Sequence, residues 1–398
     1  MKREALAMSL FLFIALTIWL GLHAWLLWRT HLLLRPPAWA WRLGMVAVGL
    51  LATAYVAGRI LVHTIALPEA LAGRIELAGA LWMALVAIVA TLMVLLEAAS
   101  LVTWVVTRLA AGRGTSLFQW LREGPGGARW AAVGLTWGLA LAGMAAGAVR
   151  AAAPPEVLRL ELQLPSPPPG LRRLVQVSDL HLGAILPQGQ WEGILETIVA
   201  TEPDALLLTG DIVEDHTARG LGQIRQLRAR LPGIPFYMSL GNHERYAGPE
   251  HLPPLASELS IQVLRQDAVD LGGLWLGAVD DPNFTSLDEA ASTLRGWVPK
   301  DAPLVVMSHQ PQAVRRFADR ARTLVLAGHV HGGQVPPFQL LAPLSNGGYR
   351  AGLYRAGDAH LHLSRGAGTW GPPVRLFAPP DVVVVELAEG EGFTVSVR

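Results

Sequence analysis

Five apolar runs in the second half of the chain each stop at a residue type that can bind a metal ion. Residues 174–177 lead into Ser178-Asp179-Leu180-His181, and residues 205–209 into Gly210-Asp211-Ile212-Val213-Glu214-Asp215. Residues 236–240 lead into Gly241-Asn242-His243-Glu244, residues 304–307 into Ser308-His309, and residues 324–327 into Gly328-His329-Val330-His331. Short apolar runs bounded by turn residues read as buried strands. Residues 191–200 and 218–231 carry helical spacing between them, and further short strands are expected at 157–164, 359–363, 382–387 and 393–397. Strands alternating with helices form sheets whose loops converge at the strand C-termini, where ligands gather. The recurrence therefore predicts an α/β fold with all five motifs on one sheet edge.

The motifs supply aspartate, asparagine and histidine, the oxygen and nitrogen donors of hard and borderline divalent ions. They suffice for two ions, and a metal pair is a recurring device for cleaving phosphate esters. Glycine stands before the ligand at Gly210, Gly241 and Gly328, where it permits tight turns and close backbone approach. The chain has no cysteine, which excludes disulfides, thiolate ligands and cysteine nucleophiles. A lone histidine is more often a core residue than a ligand, and His216, His251, His360 and His362 are expected to be ordinary in that sense. Asp280 and Asp281 read as a turn before Pro282 or as supports for the site.

Only 16% of the residues are charged, against about 25% in a typical soluble domain. The apolar excess sits at the front. Residues 5–28, 40–62, 77–106 and 130–149 predict about four membrane helices, since roughly 20 apolar residues span a bilayer. Trp28, Trp39, Trp41, Trp104 and Trp130 fall near their ends, as interfacial anchors do. The expected division is a multi-span membrane region at 1–150 and a catalytic domain at 151–398. Lys2, Arg3, Arg59, Arg74 and Arg150 fall on one side of the bilayer, opposite Arg29, Arg35, Arg42, Arg108, Arg113, Arg122 and Arg129. This balance leans towards an extracytoplasmic catalytic half. Glu97 lies inside the third span, either as a functional group or near an interface. A net charge of +1 gives no field for nucleic acid, and none is expected as a partner.

At these motifs the chain resembles the calcineurin-like metallophosphoesterases, whose pattern is D-x-H, G-D-x-x-D, G-N-H-[ED], a lone histidine and G-H-x-H. The resemblance runs from about residue 157 to the C-terminus, with every metal-ligand position filled. The multi-span front and Ser364-Arg365-Gly366-Ala367-Gly368 are most similar to the membrane-associated branch, the transmembrane proteins with a metallophosphoesterase domain. Two positions depart. Glu214 replaces the last aspartate of the second motif, with Asp215 next to it, and Pro380-Asp381 stands where Pro-Glu is expected.

The resemblance implies an N-terminal helical membrane region and a C-terminal domain of two mixed β-sheets sandwiched between helices. It implies two divalent metal ions (Mn, Fe or Zn). Asp179, His181 and His331 would hold one, Asn242, His309 and His329 the other, and Asp211 would bridge them. A hydroxide between the ions would attack the phosphate. His243 would bind phosphate or protonate the leaving oxygen, oriented by Glu214, or by Asp215 if the turn shifts by a residue. Glu244 would support the site from behind or lie at the surface. Arg245, Tyr246, Arg350, Tyr354 and Arg365 would line the entrance or be solvated. The expected function is a membrane-tethered phosphoesterase acting on a phosphodiester or pyrophosphate, with the bilayer and a lipid-like substrate such as UDP-2,3-diacylglucosamine as partners. The alternative is a membrane sensor or transporter-like module with the phosphoesterase as its output.

Overall fold

The computed structural model describes residues 2–64, 68–112, 114–123 and 126–398; Arg113 and the side chains of Lys2 and Arg3 lie outside the described residues. Helices come first: α1 (Lys2–Leu34), α2 (Ala38–Thr64), α3 (Glu69–Ala111), the short α4 (Leu117–Glu123) and α5 (Gly126–Ala152). Among the described residues, four segments are long and apolar enough to cross a membrane: Phe13–Leu34, Ala38–Leu61, Glu69–Ala110 and Gly127–Ala152. The chain is thus a multi-pass membrane protein. The third helix starts at Glu69, well before residue 77, because a helix need not stop where apolarity does; Arg74 and Glu76 lie in its early turns.

Two compact units result, Met1–Ala57 with Ala78–Ala145, and Gly58–Leu77 with Ala146–Arg398. In the first unit the polar side chains find partners. His23 is buried: Nδ1 donates to the Trp19 carbonyl (2.8 Å) and Nε2 accepts from Trp82 Nε1 (3.0 Å). Glu97 forms an ion pair with Arg29. A side chain at Gly79 would collide with the Tyr55 backbone, so α2 and α3 touch there at backbone distance.

The second unit continues with β1 (Glu156–Leu164), β2 (Arg173–Val177), α6 (Gln188–Ala200), β3 (Ala205–Thr209), α7 (Ala218–Arg230), β4 (Phe236–Ser239), α8 (Asn242–Ala247), α9 (Leu252–Glu258), β5 (Ile261–Val263), β6 (Ala268–Asp270) and β7 (Trp275–Val279). It ends with α10 (Leu287–Trp297), β8 (Leu304–Ser308), β9 (Thr323–Ala327), α11 (Phe338–Ser345), β10 (Gly352–Ala356), β11 (Ala359–Leu363), β12 (Asp381–Glu389) and β13 (Thr394–Val397). The strands form two mixed sheets, ordered β13-β1-β12-β2-β3-β4-β5 and β10-β11-β9-β8-β7-β6. The Pro-rich stretch at 165–169 is a turn, but β1 and β2 are not neighbours; β12 lies between them.

Alternation along the strands builds the layers. Leu174, Leu207, Val305 and Leu324 point into the core between the sheets. Val175, Val177, Leu206 and Leu208 face outward onto α6 and α7, and Val306 and Val325 belong to the outer cluster of the second sheet, with Leu294 and Phe317. Each such side chain contributes about 1.5–3 kcal/mol when fully buried. β2, β3 and β4 run parallel, as do β8 and β9, so their C-terminal loops leave each sheet at one edge.

Candidate metal centre

The loops at that edge are strained. Asp179, His181, Asp211, His329 and His331 all have positive φ, between 48° and 76°. Such a conformation disfavours any residue with a Cβ and persists only where the surroundings impose it. The apolar sandwich supplies that constraint. Glycine is required beside it: a Cβ at Gly328 would collide with Asp179 Oδ2, and one at Gly241 with Asp211 Oδ1.

Asp211 Oδ2 is the centre of the cluster. It lies 3.0 Å from His309 Nε2 and 3.9 Å from Nε2 of both His181 and His243. His309 Nε2 is also 3.1 Å from Asn242 Oδ1 and 3.1 Å from His329 Nδ1. On the other side, His331 Nε2 is 3.3 Å from Asp179 Oδ1 and 3.1 Å from His181 Nε2. Among the described residues, three overlapping groups could each hold an ion: Asp179, His181 and His331; His181, Asp211 and His243; and Asp211, His309 and His329.

The donors fit divalent cations. One N–H on His309 Nε2 can serve only one of the three lone-pair atoms around it, whereas a cation satisfies all of them. The His181 Nδ1 proton points at Glu214 Oε2, 2.6 Å away, which leaves the Nε2 lone pair aimed into the cluster. These overlapping His/Asp groups make a dinuclear divalent-metal site, with oxygen and nitrogen donors only.

Burial opposes charge on His309, but the Asp211 and Asp179 carboxylates overcome it and raise its pKa to about 10. His243 behaves alike: burial lowers it, Glu214 and Asp211 raise it more, and it stands at about 9. His329 and His331 fall to about 4, chiefly through burial.

Glu214, not Asp215, faces His243. Its Oε2 is 2.6 Å from Nδ1 of His243, off the line of a good hydrogen bond, so the pair is an ionic contact. Its Oε1 pairs with Arg59, from the end of α2. Asp215 is engaged elsewhere, accepting from the N–H of Ala184 (3.1 Å) and from Thr217 N (3.1 Å) and Oγ1 (2.5 Å).

Three supports hold the site from behind; Glu244 takes the first of the two places expected for it, and Arg375 carried no signal in the sequence. Buried Glu244 accepts the N–H groups of Asp211 (2.9 Å), Ile212 (2.7 Å) and Gly241 (2.7 Å), pinning the Asp211 turn to the Asn242 turn. Fully buried Arg375 places Nη2 3.1 Å from His331 Nδ1 and donates to the Gly368 and Ala378 carbonyls. The loop 364–368 backs the first motif: Ala367 N donates to Ser178 O and Gly368 N to Asp179 O, each at 3.0 Å. Asp381 anchors that loop through Ser364 Oγ and the Arg365 backbone, which gives the Pro380-Asp381 departure a structural role. The glycine spacing of 364–368 was its only legible trace.

Of the residues expected at the entrance, Tyr246 flanks His243 with ring centroids 5.4 Å apart; Trp370, which was not among them, lies 6.5 Å from the same ring. Arg365 is committed to Asp381 and Glu156, and the Tyr354 hydroxyl to the turn at Ala351. Arg245 lies over the Phe284 ring. Asp280 is held by Arg265, whereas Asp281 makes its turn at Asn283 and also accepts from Gln310, next to His309. His216 and His251 pair with each other, and His360 and His362 lie on β11.

Paired mixed sheets with a buried His/Asp cluster at the strand ends are typical of metal-dependent hydrolases. Residues 172–333 match the family model of the calcineurin-like phosphoesterases. An uncharacterized metallophosphoesterase of Aquifex aeolicus is 31% identical over 231 residues, 55% of this chain and 86% of that one. The chain belongs to the calcineurin-like metallophosphoesterases. A transmembrane protein with metallophosphoesterase domain from Danio rerio is 27% identical over 262 residues, 61% of this chain and 60% of its own length. Phosphodiesterase YaeI of Escherichia coli is 27% identical over 238 residues, 54% of this chain and 82% of its own. The chain spans 59–63% of the length of several other curated relatives, from Campylobacter jejuni and Helicobacter pylori.

Proposed function

We propose that this membrane-associated phosphoesterase is a tethered dimetal enzyme that hydrolyses a phosphodiester or pyrophosphate bond of an amphiphilic substrate. The observation that carries the reading is the position of Asp211 Oδ2 between two sets of imidazole nitrogens. In this reading Asp179, His181 and His331 would hold one divalent ion, Asn242, His309 and His329 the other, and Asp211 would serve both. Divalent ions there would supply positive charge for a phosphoryl group and lower the pKa of water enough for attack at neutral pH. His243 keeps its proton at neutral pH, held up by Glu214 and Asp211, and delivers it to the leaving oxygen. Glu214 orients His243 and His181 together.

The name of the Escherichia coli relative favours a diester. A nucleotide-linked acyl sugar such as UDP-2,3-diacylglucosamine is the pyrophosphate alternative. Residues 1–150 serve mainly as the membrane region, with 58–77 and 146–150 grouped with the catalytic unit, and 151–398 as the catalytic domain, on the extracytoplasmic side. A C-terminal reporter active only in the cytoplasm would overturn that side.

The test uses full-length protein with added Mn and bis(p-nitrophenyl) phosphate. His243→Ala is expected to lower turnover by about 10²–10⁴ while metal content stays unchanged. Loss of both metals in that variant would sink the assignment of His243.

The sensor reading has one observation in its favour, the ion pair between Arg59 and Glu214. Residues 58–77 are part of the catalytic unit, so deleting residues 1–150 would cut into it. Substitution is the cleaner probe. Arg59→Met is expected to lower kcat on the soluble diester by about 10-fold, the small end of outer-shell effects, with KM little changed and Arg59→Lys restoring part of the loss. Wild-type kcat in Arg59→Met would remove the support for coupling.

A further inference from the structure

Beside the metal centre lies an apolar surface that, among the described residues, nothing in the catalytic unit covers. Helix α11 has no buried residue and no charged one. Phe338, Leu340, Leu341 and Leu344 are all exposed, Leu340 by 78% and Leu344 by 81%. Surface helices normally put charge on their solvent face, and a contiguous exposed apolar patch marks an interaction site. Two further side chains extend it. Gln339 Nε2 donates to the Leu376 carbonyl (2.6 Å), which brings α11 beside Phe377, itself 78% exposed. Gln334 joins the same loop to Trp370, through the Trp370 carbonyl (3.0 Å) and N–H (3.1 Å). Phe377 has φ 66°, a costly conformation for an aromatic residue that packs on little of its own chain.

The neighbouring backbone says what covers this face. Arg375 N donates to the Gly147 carbonyl (2.8 Å), and a side chain at Gly147 would meet Val374. Gly147 lies inside the apolar span Gly127–Ala152, in the turns that belong to the catalytic unit. At about 1.5 Å per residue it sits roughly 7–8 Å before the end of that span. The loop carrying Phe377 is therefore fastened to a membrane helix within the depth of one interfacial layer, about 5–8 Å thick. Tryptophan, phenylalanine and leucine are the residues that settle at that depth.

The geometry points to the face formed by α11, Trp370 and Phe377 as a bilayer-seated surface of the catalytic unit. Trp370 borders both this face and His243, and Arg375 joins the Gly147 carbonyl to His331. The centre thus stands at headgroup depth. A membrane-resident amphiphile then brings its phosphoryl group to the site while its apolar part stays in the bilayer, a consequence that rests on the phosphoesterase reading.

The chain has no cysteine, so single-cysteine variants can be labelled cleanly. Leu340→Cys, Leu344→Cys and Phe377→Cys would carry a nitroxide in full-length protein in phosphatidylglycerol–phosphatidylcholine nanodiscs. Asp358→Cys, in the turn at the opposite edge of the sheet, is the aqueous reference. At the three patch sites, accessibility to a water-soluble nickel relaxant is expected to fall several-fold below that at residue 358, with accessibility to oxygen raised. Nickel accessibility equal to that of residue 358 would overturn the proposal. So would protection from both relaxants, which would mean that protein covers the face. Turnover of bis(p-nitrophenyl) phosphate by the labelled proteins is read separately. Its absence would count against the phosphoesterase reading and leave the depth measurement intact.

Discussion

The same apolar residue types are used in opposite senses in the two halves of the chain. In β2, β3, β8 and β9 leucine and valine are fully buried, and the polar residues that follow them sit at the edge of a rigid frame. In the first, second and fourth membrane segments only 6%, 6% and 11% of the most apolar stretch is buried within the protein, because the bilayer is the solvent. Charge changes meaning accordingly. Inside the membrane segments Glu97 pairs with Arg29, as a charge in a low-dielectric medium must. At the sheet edge Asp179 and Asp211 face histidine nitrogens in strained loops, an arrangement that a cation completes. An apolar pattern encodes an interior in one half and a surface in the other, and only the first leaves room for chemistry at its margin.

The contrast breaks most sharply at Asp211. Replacing its carboxylate by an amide (Asp211→Asn) keeps the size but removes the charge shared by both ligand groups. Activity is expected to fall by about 10³-fold or more, the worth of several kcal/mol of metal-ion stabilisation. Metal content measured by mass spectrometry should fall with it. Folding should survive, because the apolar layers lie elsewhere. Full metal occupancy with wild-type turnover would show that Asp211 is not the shared ligand.

A smaller effect separates two adjacent carboxylates. Glu214→Gln removes the negative partner of His181, His243 and Arg59 and should cost about 10–100-fold in turnover, as outer-shell changes do, with little change in melting temperature. Asp215→Ala removes an acceptor of three hydrogen bonds under α7, and should cost about 2–4 kcal/mol of stability while turnover per folded molecule holds. Denaturant melts and steady-state kinetics on both variants decide it. The reverse pattern would mean that Asp215 is the orienting acid.

The residues that could be read in advance are those whose pattern has a local cause. The strand ends, their ligands and the four apolar spans follow from hydropathy and spacing within a few residues of chain. Arg375 was not legible in that way, since it acts on His331 from 44 positions away; Glu244 was legible only as one of two readings, because its hold on Asp211 spans 33 positions. Arg59 is a stronger case. It looks like the charge that ends a membrane span, yet it meets Glu214 from 155 positions away. The exposed face of α11 was missed because a short apolar stretch reads as core, and only accessibility distinguishes it from a surface. The departure at Glu214 was visible, but the choice between it and Asp215 depended on which carboxylate the turn aims at His243.

Proton competition gives the finest division between ligand and neighbour. With a pKa of about 10, His309 holds a proton at neutral pH in protein stripped of metal, and a cation must displace it. His329 and His331, at about 4, are already neutral and add no dependence above pH 6. Metal affinity should therefore rise about tenfold per pH unit between pH 7 and 9, with one proton released per His309 engaged. The stability of stripped protein should move the other way. His309 gains its proton more readily folded than unfolded, so its contribution is complete below about 6.5 and is lost as pH rises towards 10. Calorimetric titration with Mn in buffers of different ionisation enthalpy counts the protons. Binding without proton release across that range would place His309 outside the metal shell and leave Asp211 with fewer partners than its position demands.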